Sequence, residues 1–172
     1  DVICVLPGST DTVIAASTIA MDVAGVTVLG FGTGANRPTI NYTTATTATC
    51  VVSVANCTMI NLLFTGGVDA LVSPLNVTGA DFKLYGCEYR DVTGQCTDFL
   101  LTSAGATRMH VKNLRYDGAA AAGTNAAIAI VGGDDITIED VWMDGNFTVG
   151  GIDVRTTATT DLLVKNVCFR TR

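Results

Sequence analysis

The sequence predicts an all-β fold: a right-handed single-stranded parallel β-helix of about six to seven coils with three short strands per coil, on three observations. One short motif returns along the chain: an apolar residue, another two positions on, then Asn, Asp or Gly, an apolar residue immediately after, and an apolar or aromatic residue two beyond. It reads Cys57-Met59-Asn61-Leu62-Phe64, Phe82-Leu84-Gly86-Cys87-Tyr89, Met109-Val111-Asn113-Leu114-Tyr116, Ile136-Ile138-Asp140-Val141-Met143 and Leu162-Val164-Asn166-Val167-Phe169, with a shorter copy at Val26-Val28-Gly30-Phe31. The copies start at positions 26, 57, 82, 109, 136 and 162, so the period is nearly constant at 31, 25, 27, 27 and 26 residues. Within each copy apolar and polar residues alternate, which is the two-residue period of a half-buried strand rather than the 3.6 of a helix. A β-sandwich has no physical reason to return Asn before an apolar residue at a fixed spacing.

Each element follows from that frame, and the chain reads as one domain over 1–172, with opening coils in 1–40 and regular coils in 41–172. The opening residues Asp1 to Gly8 alternate and stop at Pro7-Gly8; two short strands follow around Thr12 to Ala15 and Thr18 to Met21. The Ala-rich stretch 15–24 admits a capping helix as an alternative, against which its β-branched residues and Gly25 argue. A third strand per coil is expected at Val52-Val54, Leu71-Val72, Phe99-Leu101, Ile128-Ile130 and Ile152-Val154, with 118–127 as a loop.

The motif's phase switch falls on Gly30, Asn61, Gly86, Asn113, Asp140 and Asn166. These residue types tolerate the left-handed backbone region, so a corner there lets both flanking strands face one core. Stacked coils then place these six residues in a corner ladder whose side-chain amides bond between coils. Phe64, Tyr89, Tyr116, Met143 and Phe169 stack likewise in the core.

Composition excludes several classes. Hydrophobic residues reach 48% and charged residues only 15%, which excludes intrinsic disorder. A net charge of −6 argues against nucleic acid as a partner. Gly, Thr, Asn and Asp interrupt every apolar run, so no membrane insertion is expected. The six cysteines form no CxxC pair and there is one His, so a metal site and cofactors are not expected, and the cysteines read as small core hydrophobes, with short-loop pairing of Cys50 with Cys57 or Cys87 with Cys96 as the alternative. Four Asn-x-Ser/Thr sequons, at Asn41, Asn56, Asn76 and Asn146, carry no weight in so Thr-rich a chain. The start at Asp1 reads as that of a processed or partial product. The halt at 169–172 directly after a strand leads to the expectation that further sequence or another subunit covers the last coil.

The segments VLPG (5–8), DVAGVTVLGFG (22–32) and NRPTI (36–40) resemble the opening of right-handed β-helix proteins of the pectin-lyase-like superfamily, and within it most resemble β-helix proteins of tailed bacteriophages. The coil repeat extends that resemblance over nearly the whole chain, though only the opening segments are specific. The resemblance implies the fold firmly, whereas the superfamily spans lyases, hydrolases, epimerases, adhesins and virion proteins.

The enzymes of this superfamily act on polysaccharides in a groove along one face. Gly132-Gly-Asp-Asp135 is similar to the paired aspartates of polygalacturonase-like hydrolases, which makes Asp134 and Asp135 the catalytic candidates of an enzymatic alternative. The family's Asn-Thr-Asp, Gly-His-Gly and Arg-Ile-Lys elements are missing, and a solvated turn is the simpler reading of this pair. His110 lies outward by alternation. Arg90, Arg108, Lys112 and Arg115 on adjacent coils would suit neutralisation of uronates in a lyase, with Glu88, Asp91 and Asp117 as the only carboxylates in register for calcium. Tyr85 and Trp142 also face outward, as contact aromatics for subunits or sugars.

The functional expectation is therefore a non-catalytic structural component of a phage virion, in capsid decoration or in a tail or fibre. It is expected in a homotrimer, which the resemblance implies, with other virion proteins and host glycan as partners. A polysaccharide lyase or glycoside hydrolase is the alternative, and a secreted or cell-surface adhesin module the third.

Overall fold

The computed structural model describes residues 1–92, 95–121, 123–155 and 159–171. The chain winds into a parallel β-solenoid of about six turns. The first turn holds β1 (Val2–Val5), β2 (Thr10–Val13) and β3 (Ile19–Met21), and the second β4 (Thr27–Gly30), a single 3₁₀ turn at Gly34–Asn36, β5 (Thr39–Tyr42) and β6 (Cys50–Val52). The third holds β7 (Thr58–Ile60), β8 (Leu63–Gly66) and β9 (Leu75–Val77), and the fourth β10 (Lys83–Tyr85), β11 (Glu88–Asp91) and β12 (Asp98–Thr102). The fifth holds β13 (His110–Lys112), β14 (Arg115–Asp117) and β15 (Ala126–Ile130). In the sixth, β16 (Thr137–Gly145) runs through the corner and merges the first two strands before β17 (Ile152–Val154), and β18 (Leu163–Thr171) pairs along β16.

Every strand pairs in parallel with its counterpart one turn away, so like positions stack. One core column is Ile40, Phe64, Tyr89, Tyr116 and Met143, each the register partner of the next and each buried. Tyr89 and Tyr116 stack at 5.2 Å and 17°, and Phe99 closes over Tyr89 from the third strand at 4.7 Å. The hydroxyls are satisfied locally: Tyr89 donates to Asp91 at 2.6 Å, and Tyr42 to the Pro74 carbonyl at 2.6 Å.

From the third turn on, two columns of left-handed residues shape the first strand of each turn. Asn61, Gly86, Asn113, Asp140 and Asn166 have φ between 50° and 60°. The N–H of Asn61 donates to Tyr85 O at 2.9 Å, that of Gly86 to Lys112 O at 2.9 Å and that of Asn113 to Glu139 O at 3.2 Å, so the corners are themselves rungs between coils. Five residues earlier stands a second left-handed column: Gly25, Asn56, Asp81, Arg108, Asp135 and Asp161. It makes the same rungs, Asn56 N–H to Ala80 O at 3.0 Å, Asp81 N–H to Thr107 O at 2.8 Å and Arg108 N–H to Asp134 O at 2.7 Å. A short strand bracketed by two such bends can bury one side chain, such as Leu84 or Val111, and turn two outward.

Several expectations are corrected. Gly30 is not a left-handed corner: it ends β4 in extended backbone, and positive φ moves to Gly32 and Gly34, because the longer 31-residue interval inserts the 3₁₀ turn there. Gly30 still holds its place in the ladder, since its carbonyl accepts from Asn61 Nδ2 at 2.9 Å. Phe169 keeps register with Met143 but is 63% exposed, because it lies on the last described turn with no strand above it. Inter-coil amide bonding at the ladder holds for Asn61 and for Asn166, which donates to Asp140 Oδ1 at 3.1 Å. The strand expected at Leu71-Val72 lies at β9 instead, and Leu71 makes only an isolated bridge to Cys96. Likewise the strand expected at Val52-Val54 starts and ends earlier, as β6. No helix forms in 15–24, and β15 begins inside the expected 118–127 loop, of which Ala122 lies outside the described residues. All six cysteines are free: Cys50, Cys57, Cys87 and Cys96 are core residues, whereas Cys4 and Cys168 face outward and are exposed.

Candidate functional site

Alternation along the strands turns a polar set outward on each side of the Asn61-to-Asn166 corner. On the first-strand side, register places Lys83 beside His110 and Tyr85 beside Lys112, then His110 beside Thr137 and Lys112 beside Glu139. Tyr85 and His110 are joined at 2.9 Å between the phenol oxygen and Nδ1, and His110 Nε2 stands 3.1 Å from Glu139 Oε1. With the ring neutral and its proton on Nε2, His110 donates to Glu139 and accepts from Tyr85. Lys112 donates to the same Glu139 oxygen at 2.8 Å. The Lys112 hydrogen bond is the largest influence on Glu139 and holds its carboxyl below the usual range; burial pushes the Tyr85 phenol up.

On the second-strand side, two stacked outward columns carry charge. Leu63, Glu88, Arg115, Trp142 and Cys168 form one; Thr65, Arg90, Asp117, Asp144 and Arg170 form the other. Glu88 is buried and bonded by Arg90 on its own strand and by Arg37, which reaches over Leu63 from two turns away. Burial pushes the Glu88 carboxyl up, but the two guanidiniums outweigh it and hold it below its ordinary value. Arg115 approaches Glu88 no closer than 4.0 Å. Arg170 pairs with Asp144, and Trp142 stands 46% exposed between them and Arg115, the four side chains lining a shallow groove.

A second two-turn span lies on the six-stranded sheet that the third strands form. Arg155 donates from Nη1 to Asp98 Oδ2 and from Nε to Asp153 Oδ2, both at 2.6 Å, and crosses Ala126, the register partner of Asp98, to do so. Neither Arg37 with Glu88 nor Arg155 with Asp98 was visible in the repeat, because each joins coils that are not neighbours.

The sequence-derived catalytic candidates do not form a cluster. Asp134 and Asp135 are exposed, Asp135 is a member of the second left-handed column, and Asp134 Oδ1 accepts from the backbone N–H of Thr160 at 3.1 Å and its hydroxyl at 2.9 Å. Their chemistry is that of a corner. Asp81 and Arg108 on the same edge form a fork-to-fork pair, with both contacts at 2.7 Å. The three carboxylates in register for calcium also separate: Glu88 is taken by arginines, Asp91 is half-buried and accepts from Tyr89, Cys96 N–H and Ala119 N–H, and Asp117 lies on the neighbouring outward column. No group of three metal-ligating side chains occurs among the described residues. Tyr85 lies in the hydrogen-bonded chain with His110, which alternation alone did not reveal, and Trp142 lies in the arginine groove. Comparison of this chain with family models, with curated proteins and with solved structures finds no match.

Proposed function

We propose that this chain is a non-catalytic structural β-helix that works by packing within a larger assembly, and, on its resemblance to the β-helix proteins of tailed bacteriophages, a component of a virion. The observation that carries the reading is the state of the outward carboxylates. Glu88, Glu139 and Asp81 all have carboxyls held below the ordinary range by cations: Lys112 and Arg108 reach Glu139 and Asp81 from the neighbouring turn, and Glu88 is held by Arg90 on its own strand and by Arg37 from two turns away. A general acid for glycoside cleavage needs the opposite shift, whereas a rod that must keep its coils in register needs anions clamped to the coil beside them. The parallel ladders, the two left-handed columns and the arginines spanning two turns serve the same rigidity.

The test is the mass of the native species made from the full natural chain, by light scattering, together with electron microscopy of purified particles. A defined oligomer or a particle-bound array is expected; a stable monomer that joins no particle overturns the reading. One observation favours an enzymatic second reading, the Tyr85–His110–Glu139 chain, in which a carboxylate orients an imidazole against a phenol. That reading expects turnover of a polysaccharide which His110→Ala abolishes with the fold intact.

A further inference from the structure

The first-strand and second-strand faces carry the ion pairs of Glu139 and Glu88, whereas the outward face of the six-stranded sheet is neutral over its middle turns. In turns two to four the outward residue of the third strand is Val51, Asn76 and Leu101 in register, each between inward neighbours that are buried. The next outward column is Ser53, Thr78 and Ser103, so six adjoining positions hold no charge. The hydroxyls there are engaged within the chain: Ser53 donates to Met21 O and Thr78 to Val52 O, both at 3.4 Å. The Asn76 amide is different. It is half-buried between Val51 and Leu101, and its side chain meets no hydrogen-bond partner in its own chain. Val72, 50% exposed, borders a shallow hollow with Asn76 and Leu101 and extends the apolar surface.

We infer that this face pairs with the same face of a second copy, about a two-fold axis that runs along β9. Charge selects the occupant. A charged partner would lose its water against this surface with no counter-charge in return, whereas a second copy brings none to its middle turns. The order along the stack selects the orientation, because both columns read alike from either side of the middle rung: Val51-Asn76-Leu101 and Ser53-Thr78-Ser103. An axis along the middle strand reverses the stack, so Val51 meets the partner's Leu101, Ser53 meets the partner's Ser103, and Asn76 and Thr78 each meet their own counterpart. An amide is donor and acceptor at once, so two copies of Asn76 complement each other and fix the register. The end charges agree. Asp22, which continues the second column in turn one, has no cation of its own, and a parallel pairing would set the two copies of it on one rung. The antiparallel pairing sets each opposite the partner's Val131, one rung from the partner's Arg155. The inference rests on the reading of this chain as an assembling rod and deepens it by naming the face and the occupant.

The experiment uses the full chain with its two exposed thiols replaced, Cys4→Ser and Cys168→Ser. Equilibrium sedimentation is expected to show a concentration-dependent, even-numbered oligomer. Leu101→Lys is expected to weaken that association about tenfold or more, with unchanged circular dichroism, because it puts an unpaired charge in the joint. Adding Val51→Glu to the same chain is expected to restore it, since the two replaced side chains meet across the axis. Cross-linking with a short bis-maleimide gives a second readout on conservative variants. It is expected to join Ser53→Cys chains to Ser103→Cys chains and Thr78→Cys chains to one another, and to leave Ser53→Cys chains unjoined on their own. Self-joining of Ser53→Cys chains overturns the pairing, as does an association that Leu101→Lys leaves intact or that the double variant fails to recover. A trimer or a particle-bound array joined through other faces overturns the pairing and leaves the structural reading standing, whereas a monomer that joins no particle overturns both.

Discussion

The two outward faces that meet at the Asn61-to-Asn166 corner are built from the same strand grammar but present different chemistry. On the first-strand face Glu139 is met by both Lys112 and His110, and His110 in turn by Tyr85, so polar groups are consumed within the face. On the second-strand face one buried carboxylate, Glu88, is shared by two guanidiniums while a third stands off beside an exposed indole. Inward positions are constrained by packing against the neighbouring turn, whereas outward positions are constrained only not to repel one another along the stack. A regular core thus permits one face to close on itself and the other to keep groups in reserve.

The largest effect is expected where the faces share a support. Phe99 is buried against Tyr89 at 4.7 Å and Phe64 at 5.4 Å, so Phe99→Ala should destabilise the fold by about 3–5 kcal/mol in chemical denaturation, as large-to-small changes in packed cores do. Both faces should then loosen together; loss on only one would break the view of a common core.

Next comes the charge at the centre of the second face. Glu88→Ala leaves Arg37 largely buried without its carboxylate and should cost about 3 kcal/mol, the range for breaking a buried pair. Glu139→Ala, whose partners are nearer solvent, should shift the denaturation midpoint by clearly less. Equal shifts would erase the distinction between the faces. The acid limb sharpens it. Because the folded carboxyl of Glu88 is held below the unfolded value of about 4.3, its contribution is fully present above that pH and is lost as pH falls through the lowered folded value. Glu88→Gln should therefore flatten the acid-side loss of stability. Asp91 works in the other direction: burial pushes its carboxyl up, so its contribution is present at low pH and is lost as pH rises through that raised value.

The smallest effect is at the corner between the faces. A Cβ on Gly86 meets nothing within 4 Å, so Gly86→Ala tests the left-handed backbone alone and should cost about 1 kcal/mol. Gly30→Ala is the matched opposite: its φ is ordinary, but the new Cβ would meet Asn61 O at 2.5 Å, and its larger loss in the same denaturation series would come from contact rather than conformation.

How much of this was legible can be read residue by residue. The period, the inward columns and the corners at Asn61, Gly86, Asn113, Asp140 and Asn166 follow from the motif, because a stacked fold repeats its requirements each time the chain returns. The second left-handed column was partly visible in Asn56, Asp81, Asp135 and Asp161, each directly before a motif, but Arg108 in the same position gives no signal, since its residue type does not favour positive φ. The candidate sites were less legible. Asp134 and Asp135 stood out as a pair yet serve a corner, while the arginine groove assembles from residues on different turns whose spacing along the chain carries no motif.

The amino-acid sequence by itself determined the solenoid, because alternation and a constant period leave stacking as the only way to bury each turn's apolar side. Only the tertiary structure decided which outward side chains meet. Arg37 reaching Glu88, Arg155 reaching Asp98 and Arg115 lying beside Trp142 all depend on stacking register and on side chains long enough to cross a coil. The physical reason is that burial fixes the inward residues by type, whereas an outward residue acquires its role from whichever neighbour the stacking brings beside it.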